Sequence, residues 1–298
     1  RKTIGVFTAR VGRVWGLEFL DGVLDAAAAR DTNVLFFVGG KPAGTIFPGQ
    51  LSPSYGIYDL AKPDQLAGLV FSADIGHNLE PNAVKRFCDN YAVPMVATSL
   101  GVPGIPNILA DNTGGMRQLL RHLIREHGYQ RIAFLRGLKG QFEAEQRFHA
   151  YKEELKENGI HFDEKLVLQG DLTPESGRAA VKTLFDERKI KVDAIVSAND
   201  RMAFGVLEGL QERGINVPGD VALAGFDDVT EAQSLGVPLT TVRQSFYSFG
   251  KQAVDFVEDF LRSPQGERGD EDFAAVGQSL LQHLPEGLQP LLPSCVER

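Results

Sequence analysis

The sequence predicts an α/β fold of two lobes, each a parallel sheet flanked by helices, joined by crossover hinge strands. Three observations lead there. Short apolar runs alternate with helical apolar patterns along most of the 298 residues, the order expected when helices cover both faces of a parallel sheet. That alternation breaks once, at 101–112 (GVPGIPNILADN), where Pro103 and Pro106 prevent a helix, and then restarts. A second extended stretch, PLTTV at 238–242, follows the last strand–helix–strand unit. The lobes then comprise 1–110 plus 243–298 and 111–242, with a ligand cleft where strand ends of both sheets meet.

The elements follow in order. TIGVF at 3–7 is a buried strand, followed at 8–16 by a polar, basic loop holding Arg10, Arg13 and the single Trp, Trp15. A helix then puts Leu17, Leu20, Val23, Leu24 and Ala27 on one side. A second strand spans 33–38. The Gly/Pro-rich segment 39–63 is longer than ordinary α/β loops and reads as a functional flap or partner surface. A strand at 66–71 ends at Ser72-Ala73-Asp74, a helix covers 81–91, and a fourth strand covers 95–97. Asp111-Asn112 caps the next helix, whose apolar face is Met116, Leu119, Leu120, Leu123 and Ile124.

The second lobe continues with a strand at 131–135, a helix at 143–158, a strand at 166–168 and a helix at 174–188. The stretch 193–229 is the clearest unit. An apolar strand, Ala194-Ile195-Val196, stops at the helix-capping pair Asn199-Asp200. Ala203, Val206, Leu207 and Leu210 form one helix face, Gly214 and Pro218 end it, and a second strand at 221–224 runs into Gly225-Phe226-Asp227-Asp228. Both strands end at the same sheet edge, carrying Asn199 and Asp227 to it. A last helix at 246–261 packs back on the first lobe, and the polar, then mixed tail is the least patterned part.

The totals narrow the function. A hydrophobic content of 43% and a charged content of 23% fit a globular domain pair. The net charge of -8 argues against nucleic-acid binding by this chain itself, which would need a basic face. No run is long and apolar enough for a membrane helix, and no signal peptide opens the chain. The start without Met reads as a piece of a longer protein. Cys88 and Cys295, far apart in sequence, read as reduced thiols of a cytoplasmic protein. Phosphate-loop, dinucleotide, nucleophile-elbow and zinc-protease motifs are lacking, so neither enzyme nor cofactor is expected. His122 and His127, five apart, should not share a helix face as metal ligands would.

At SANDRMAFGVLEGLQERGINVPGDVALAGFDD, followed by PLTTVRQSF, the chain resembles the effector-binding core of the lactose-repressor/galactose-repressor (LacI/GalR) family. The likeness runs over roughly 3–261. It implies a periplasmic-binding-protein-like fold and a small-molecule sensor acting by lobe closure. It also implies a homodimer that meets DNA only through a helix-turn-helix domain absent from this chain. IYDLAKPDQLAGLVFS, FCDNYAVPMV and RGLKGQFEAEQRF resemble the variant found at the front of histidine kinases and diguanylate cyclases.

By the resemblance, Arg147 in AEQRFHAY donates its planar fork to sugar hydroxyls or a carboxylate. Asn199 can both donate and accept, Asp227 is the acidic residue of the cleft, and Asp228 caps or turns the next segment. Leu172 stands where the family often has a stacking aromatic, and Ala150 where it has Gly. Those departures leave the ligand class open between a flat sugar or purine and another polar metabolite. Trp15 and Phe246 are candidates for the aromatic wall, Arg13, Ser72 and Asp74 for polar contacts at first-lobe strand ends, and Gln244 for the hinge. Two other classes remain: an extracytoplasmic solute-binding protein of a transporter, and an α/β enzyme.

Overall fold

The computed structural model describes residues 1–12, 14–39, 53–76, 81–234, 236–263 and 295–296. These divide into two compact units. Unit 1 holds the chain through Ala110 and resumes at Ser245 with the final helix. Unit 2 runs from Asp111 to Gln244 and takes in the short strand at 295–296. The architecture is α/β, with a parallel sheet flanked by helices in each unit.

In unit 1 the elements are β1 (Thr3–Thr8), α1 (Val14–Ala29), β2 (Asn33–Val38), a 3-10 segment Pro53–Leu60, β3 (Gly68–Phe71), α2 (Ala73–Gly76), α3 (Pro81–Cys88), β4 (Met95–Thr98) and β5 (Asn107–Ile108). The sheet order is β2-β1-β3-β4-β5, every pair parallel. Side chains alternate across a strand, so this sheet builds two cores. Phe7, Leu69, Phe71, Met95 and Ala97 face one way, toward Tyr58, Val84 and Cys88. Ile4, Val6, Val70 and Val96 face the other, toward α1 and the final helix.

In unit 2 the order is α4 (Asn112–Arg121), β6 (Ile132–Arg136), α5 (Phe142–Glu157), β7 (Val167–Gln169), α6 (Pro174–Val181), β8 (Ala194–Ser197), α7 (Asp200–Gln211), β9 (Ala222–Ala224) and β10 (Thr241–Val242). The parallel sheet runs β7-β6-β8-β9. Caps start the helices where the sequence places them. Asp111 accepts from the Gly114 N–H (2.7 Å), Thr173 precedes Pro174 and accepts from Ser176, and Asn199 accepts from Met202. α4 and α6 each run on into a π-helical turn, His122–Glu126 and Lys182–Glu187. The chain then re-enters unit 1 as α8 (Phe246–Leu261).

Four expectations need correction. Helix α1 begins at Val14, so Trp15 is helical and not in the loop. The buried face of α1 is Phe19, Val23, Ala26 and Ala27, whereas Leu17 and Leu24 stay 49% and 50% exposed. The cause is α8: a Cβ on Gly22 would stand 1.9 Å from Tyr247 O, and one on Gly250 2.0 Å from Phe19 O. Those two glycines let the helix backbones touch and so fix which side of α1 is covered. The described end of the 39–63 segment is more than a surface flap, since Tyr58 and Ala61 are core residues, while 40–52 lie outside the described residues. Tyr58 is buried, its ring 5.0 Å from Phe7, and its hydroxyl donates to Thr8 O (3.0 Å). Finally, β11 (Cys295–Val296) pairs antiparallel with β10 in unit 2, so the tail does not belong wholly with the first lobe. No helix among the described residues is long and apolar enough to cross a membrane.

Candidate functional site

Unit 2 gathers four of the five candidates it holds into one polar cluster at the C-terminal edge of its sheet. Arg147 comes from the first half of α5 and is buried. Its Nε donates to Asn112 Oδ1 (2.8 Å) and its NH1 to Ala198 O (2.6 Å), the residue after β8. NH1 also lies 3.6 Å from Asp227 Oδ1, and NH2 lies 4.0 Å from Glu143. The guanidinium is backed by Phe226, its carbon 3.8 Å from the ring centre, a cation–π contact made by a buried side chain. Arg147 is therefore no surface helix residue. Glu145, the other acid near it in sequence, pairs with Arg136.

Asp227 and Asp228 follow β9 in an unusual backbone, with φ of 126° and 57°. Both angles are costly for residues with a Cβ. The turn is held from the β10 side. Asp227 N–H donates to Val242 O (2.8 Å) and Gln244 N–H to Asp227 O (3.1 Å). Gln244 Nε2 also donates to Asp227 Oδ1 (2.6 Å). Asp228 accepts from Arg243 Nε (2.6 Å). Burial pushes the Asp227 carboxyl up to about 7, opposed by the Arg147 charge and the Gln244 hydrogen bond and reinforced by Asp200 and Glu143.

Asn199 uses its side-chain oxygen to cap α7, accepting from Met202 N–H (3.0 Å). Among the described residues nothing accepts from its amide nitrogen, so capping leaves a donor at the same sheet edge as Asp227. Leu172 adopts φ 71° just before α6 and packs, partly buried, on the unit 2 core. Only an apolar contact is available from it.

In unit 1 the candidates are differently used. Asp74 is buried and turned into its own backbone. Its Oδ2 accepts from the N–H groups of Ala9 (3.0 Å) and Arg10 (3.1 Å) and from Thr8 Oγ1 (3.1 Å), and Ser72 also hydrogen-bonds to it. Burial raises its carboxyl against those bonds. Asp74 and Ser72 thus shape the loop after β1, a structural use of side chains that the sequence offers as ligand contacts. Phe246 opens α8 behind the Ser245 cap and packs on the unit 1 core, its ring 6.1 Å from Phe249. Arg13 lies outside the described residues, as does the Trp15 side chain.

Sequence reasoning missed two members of the unit 2 cluster. Asn112 is not the cap of α4. It accepts from Arg147 and donates to Gln146 Oε1 (3.1 Å) and Glu143 Oε1 (3.4 Å). Asp200 reads in sequence as the first residue of a helix, yet its carboxylate points away into the turn. The histidine reading also changes: His122 and His127 bring their Nε2 atoms to 3.1 Å, because the π-helical turn carries residues five apart onto one side. They stay a pair, since among the described residues no three His, Cys, Asp or Glu side chains gather as metal ligands would.

The comparisons agree with this architecture. A family model described as a periplasmic binding protein-like domain matches residues 120–277, more than half of the chain. The HTH-type transcriptional regulator CelR of Thermobifida fusca is 38% identical over 178 residues, covering 58% of this chain and 52% of CelR. The match thus spans about half the length of that relative. Catabolite control protein A of Priestia megaterium is 25% identical over 260 residues, 87% of this chain and 75% of that protein. A solved CelR–cellobiose complex superposes with a TM-score of 0.74 at 28% identity, over 89% of this chain and 78% of the other. A regulatory protein of LacI family from Chloroflexus aggregans gives 0.73 at 27%, over 99% and 97%. By name, CelR is a transcriptional regulator and the Chloroflexus aggregans protein a regulatory protein of the LacI family. The chain belongs to the periplasmic binding protein-like family.

Proposed function

We propose that this chain senses an uncharged, polyhydroxylated small molecule, a sugar or glycoside, and that Arg147, Asp227, Gln244 and Asn199 supply the polar contacts of unit 2. One observation carries the choice of an uncharged ligand. Arg147, the cation of the cluster, already spends Nε on Asn112 and NH1 on Ala198, and stands between the carboxylates of Asp227 and Glu143. A phosphate or carboxylate ligand needs a free guanidinium fork. Hydroxyl groups, which donate and accept in turn, suit two carboxylates, a carboxamide and the remaining guanidinium N–H. Leu172 adds an apolar contact where a sugar face would otherwise stack.

The output is read from the relatives. CelR is by name an HTH-type transcriptional regulator, and it is solved with cellobiose. This favours a DNA-binding output, through a helix-turn-helix domain like the one named in CelR, over the kinase or cyclase output that the sequence resemblance implied. Such an output belongs in the cytoplasm. No observation favours the transporter or enzyme readings. Leu17 and Leu24, half exposed on α1, support self-association of unit 1 as a homodimer. Phe246, Ser72 and Asp74 are kept as supporting residues of unit 1, with Arg13 and Trp15 as further candidates.

The test is a thermal-shift panel of neutral mono- and disaccharides, nucleosides, sugar phosphates and organic acids. A ligand at about a hundredfold over Kd adds about 2.7 kcal/mol of stability. The reading predicts shifts with neutral sugars alone. Shifts confined to sugar phosphates or organic acids would overturn it.

A further inference from the structure

We propose that Asp200 is a positioning residue for the Asp227 turn: its buried carboxylate ties that turn to β10 and holds Asp227 where a ligand can reach it. The proposal rests on the reading of Asp227 as a ligand contact given above.

Asp200 is fully buried. One carboxylate oxygen accepts from Thr241 Oγ1 (2.6 Å), on β10, and the other from the N–H of Val229 (3.0 Å), just past Asp227 and Asp228. Its backbone N–H donates to Phe226 O (2.8 Å), just before them. The strained pair is therefore gripped on both sides by a single residue. The fit leaves no slack, since a Cβ on Gly225 would lie 2.2 Å from Asp200 Oδ1.

A merely helix-starting aspartate does not need this arrangement. Asn199 already caps α7, and an acid in the first turn gains from the helix dipole while facing water. Here the carboxylate is spent elsewhere, on the segment that supplies Val242 O and Gln244 to Asp227. Asp200 thus fixes β10, and β10 fixes Asp227. The groups facing Asp227 are Arg147, Gln244, Glu143 and Asp200, and the Asp200 charge raises the Asp227 carboxyl. Removing that charge should shift the titration of Asp227 downward, in the same direction as the hydration that a loosened turn would bring, so local exchange protection is the readout that separates this tether from general loss of packing.

The experiment uses the full chain with Asp200→Asn and Thr241→Val, with cellobiose as the probe. Amide hydrogen exchange is measured at 227–229, 242–244 and β6, together with calorimetric affinity from pH 5.5 to 8.5. Asp200→Asn is expected to lose protection at 227–229 and 242–244 while β6 keeps it. Affinity should fall about tenfold or more, the scale of a lost hydrogen bond to a charged group, and the midpoint of its pH dependence should move to lower pH. Thr241→Val should act in the same direction, more weakly, and decides the matter if β6 also loses protection in Asp200→Asn. Unchanged protection and affinity in both variants would overturn the proposal. If the wild-type chain binds neither cellobiose nor any sugar of the panel, the ligand reading fails, and exchange at 227–229 alone confirms or overturns the role of Asp200.

Discussion

The guanidinium carbon of Arg147 sits over the ring of Phe226, 3.8 Å from its centre, and Phe226 is the residue just before Asp227. The cation and the acid of the cluster are thus fixed through one aromatic side chain. The ring backs the guanidinium, while hydrogen bonds to Asn112 and Ala198 hold its nitrogens in place. Arg147 is a prepared group, with little side-chain freedom left to lose on binding.

Arg147→Lys should not substitute. An ammonium has no planar fork to reach Asn112, Ala198 and Asp227 together. We expect a loss of about 2–4 kcal/mol in unfolding free energy, from buried groups left without their partner, and loss of ligand-induced stabilisation. Urea unfolding with and without ligand measures both. Wild-type stability in the variant would contradict the geometry.

The pH dependence has a defined sign. Burial raises Asp227 to about 7 and Asp200 to about 6, both above the usual carboxylate value. Between about pH 4 and those values the folded chain holds protons that the unfolded chain has released. Stability must therefore fall as pH rises from about 4 to about 7. Asp227→Asn should flatten the upper part of that decline. Unfolding free energies across the range test it, and a rise in stability over the same interval would be the opposite outcome. Binding that uses ionised Asp227 as a hydroxyl acceptor should strengthen with pH through the same window.

How far the sequence could be read depends on what each signal encodes. Helix α8 matches its apolar period from Phe246 to Leu261, and the capping residues Asp111, Thr173 and Asn199 stand where their side-chain chemistry puts them. Periodicity fails on α1, because two apolar stripes coexist there. The choice between them is made by Gly22 against Tyr247, a contact between residues far apart in sequence. Strand ends bring Asp74 and Asp227 to sheet edges alike. What their carboxylates then meet is decided by the loops: free backbone N–H groups for Asp74, Arg147 and Gln244 for Asp227. Asn112 and Asp200 were legible as helix-start residues only, since their partners lie 29 or more positions away.

The α1–α8 contact gives a prediction confined to unit 1. Gly250→Ala places a methyl against Phe19 O and should destabilise the chain by about 1–3 kcal/mol. Because Arg147, Asp227 and Gln244 all lie in unit 2, their mutual hydrogen bonds and exchange protection should persist. Hydrogen exchange resolved by segment reads both; loss of protection at 227–229 alone would be inconsistent with it.

Self-association should respond to the exposed apolar pair on α1. Replacing Leu17 and Leu24 together by Glu puts charge on a face that is half exposed in the monomer. It should lower the sedimentation-derived molecular mass from dimer toward monomer at micromolar concentration, with little change in far-ultraviolet circular dichroism. An unchanged dimer would move the interface away from α1.

The most direct test is a calorimetric titration of the neutral sugar giving the largest thermal shift into the wild-type chain, Arg147→Ala and Asp227→Ala, with its phosphorylated analogue as the control. The account predicts saturable binding of the neutral sugar by the wild type, no detectable binding by either variant that still folds, and no binding of the phosphorylated form. Undiminished affinity in both variants, or preference for the phosphorylated form, would contradict it.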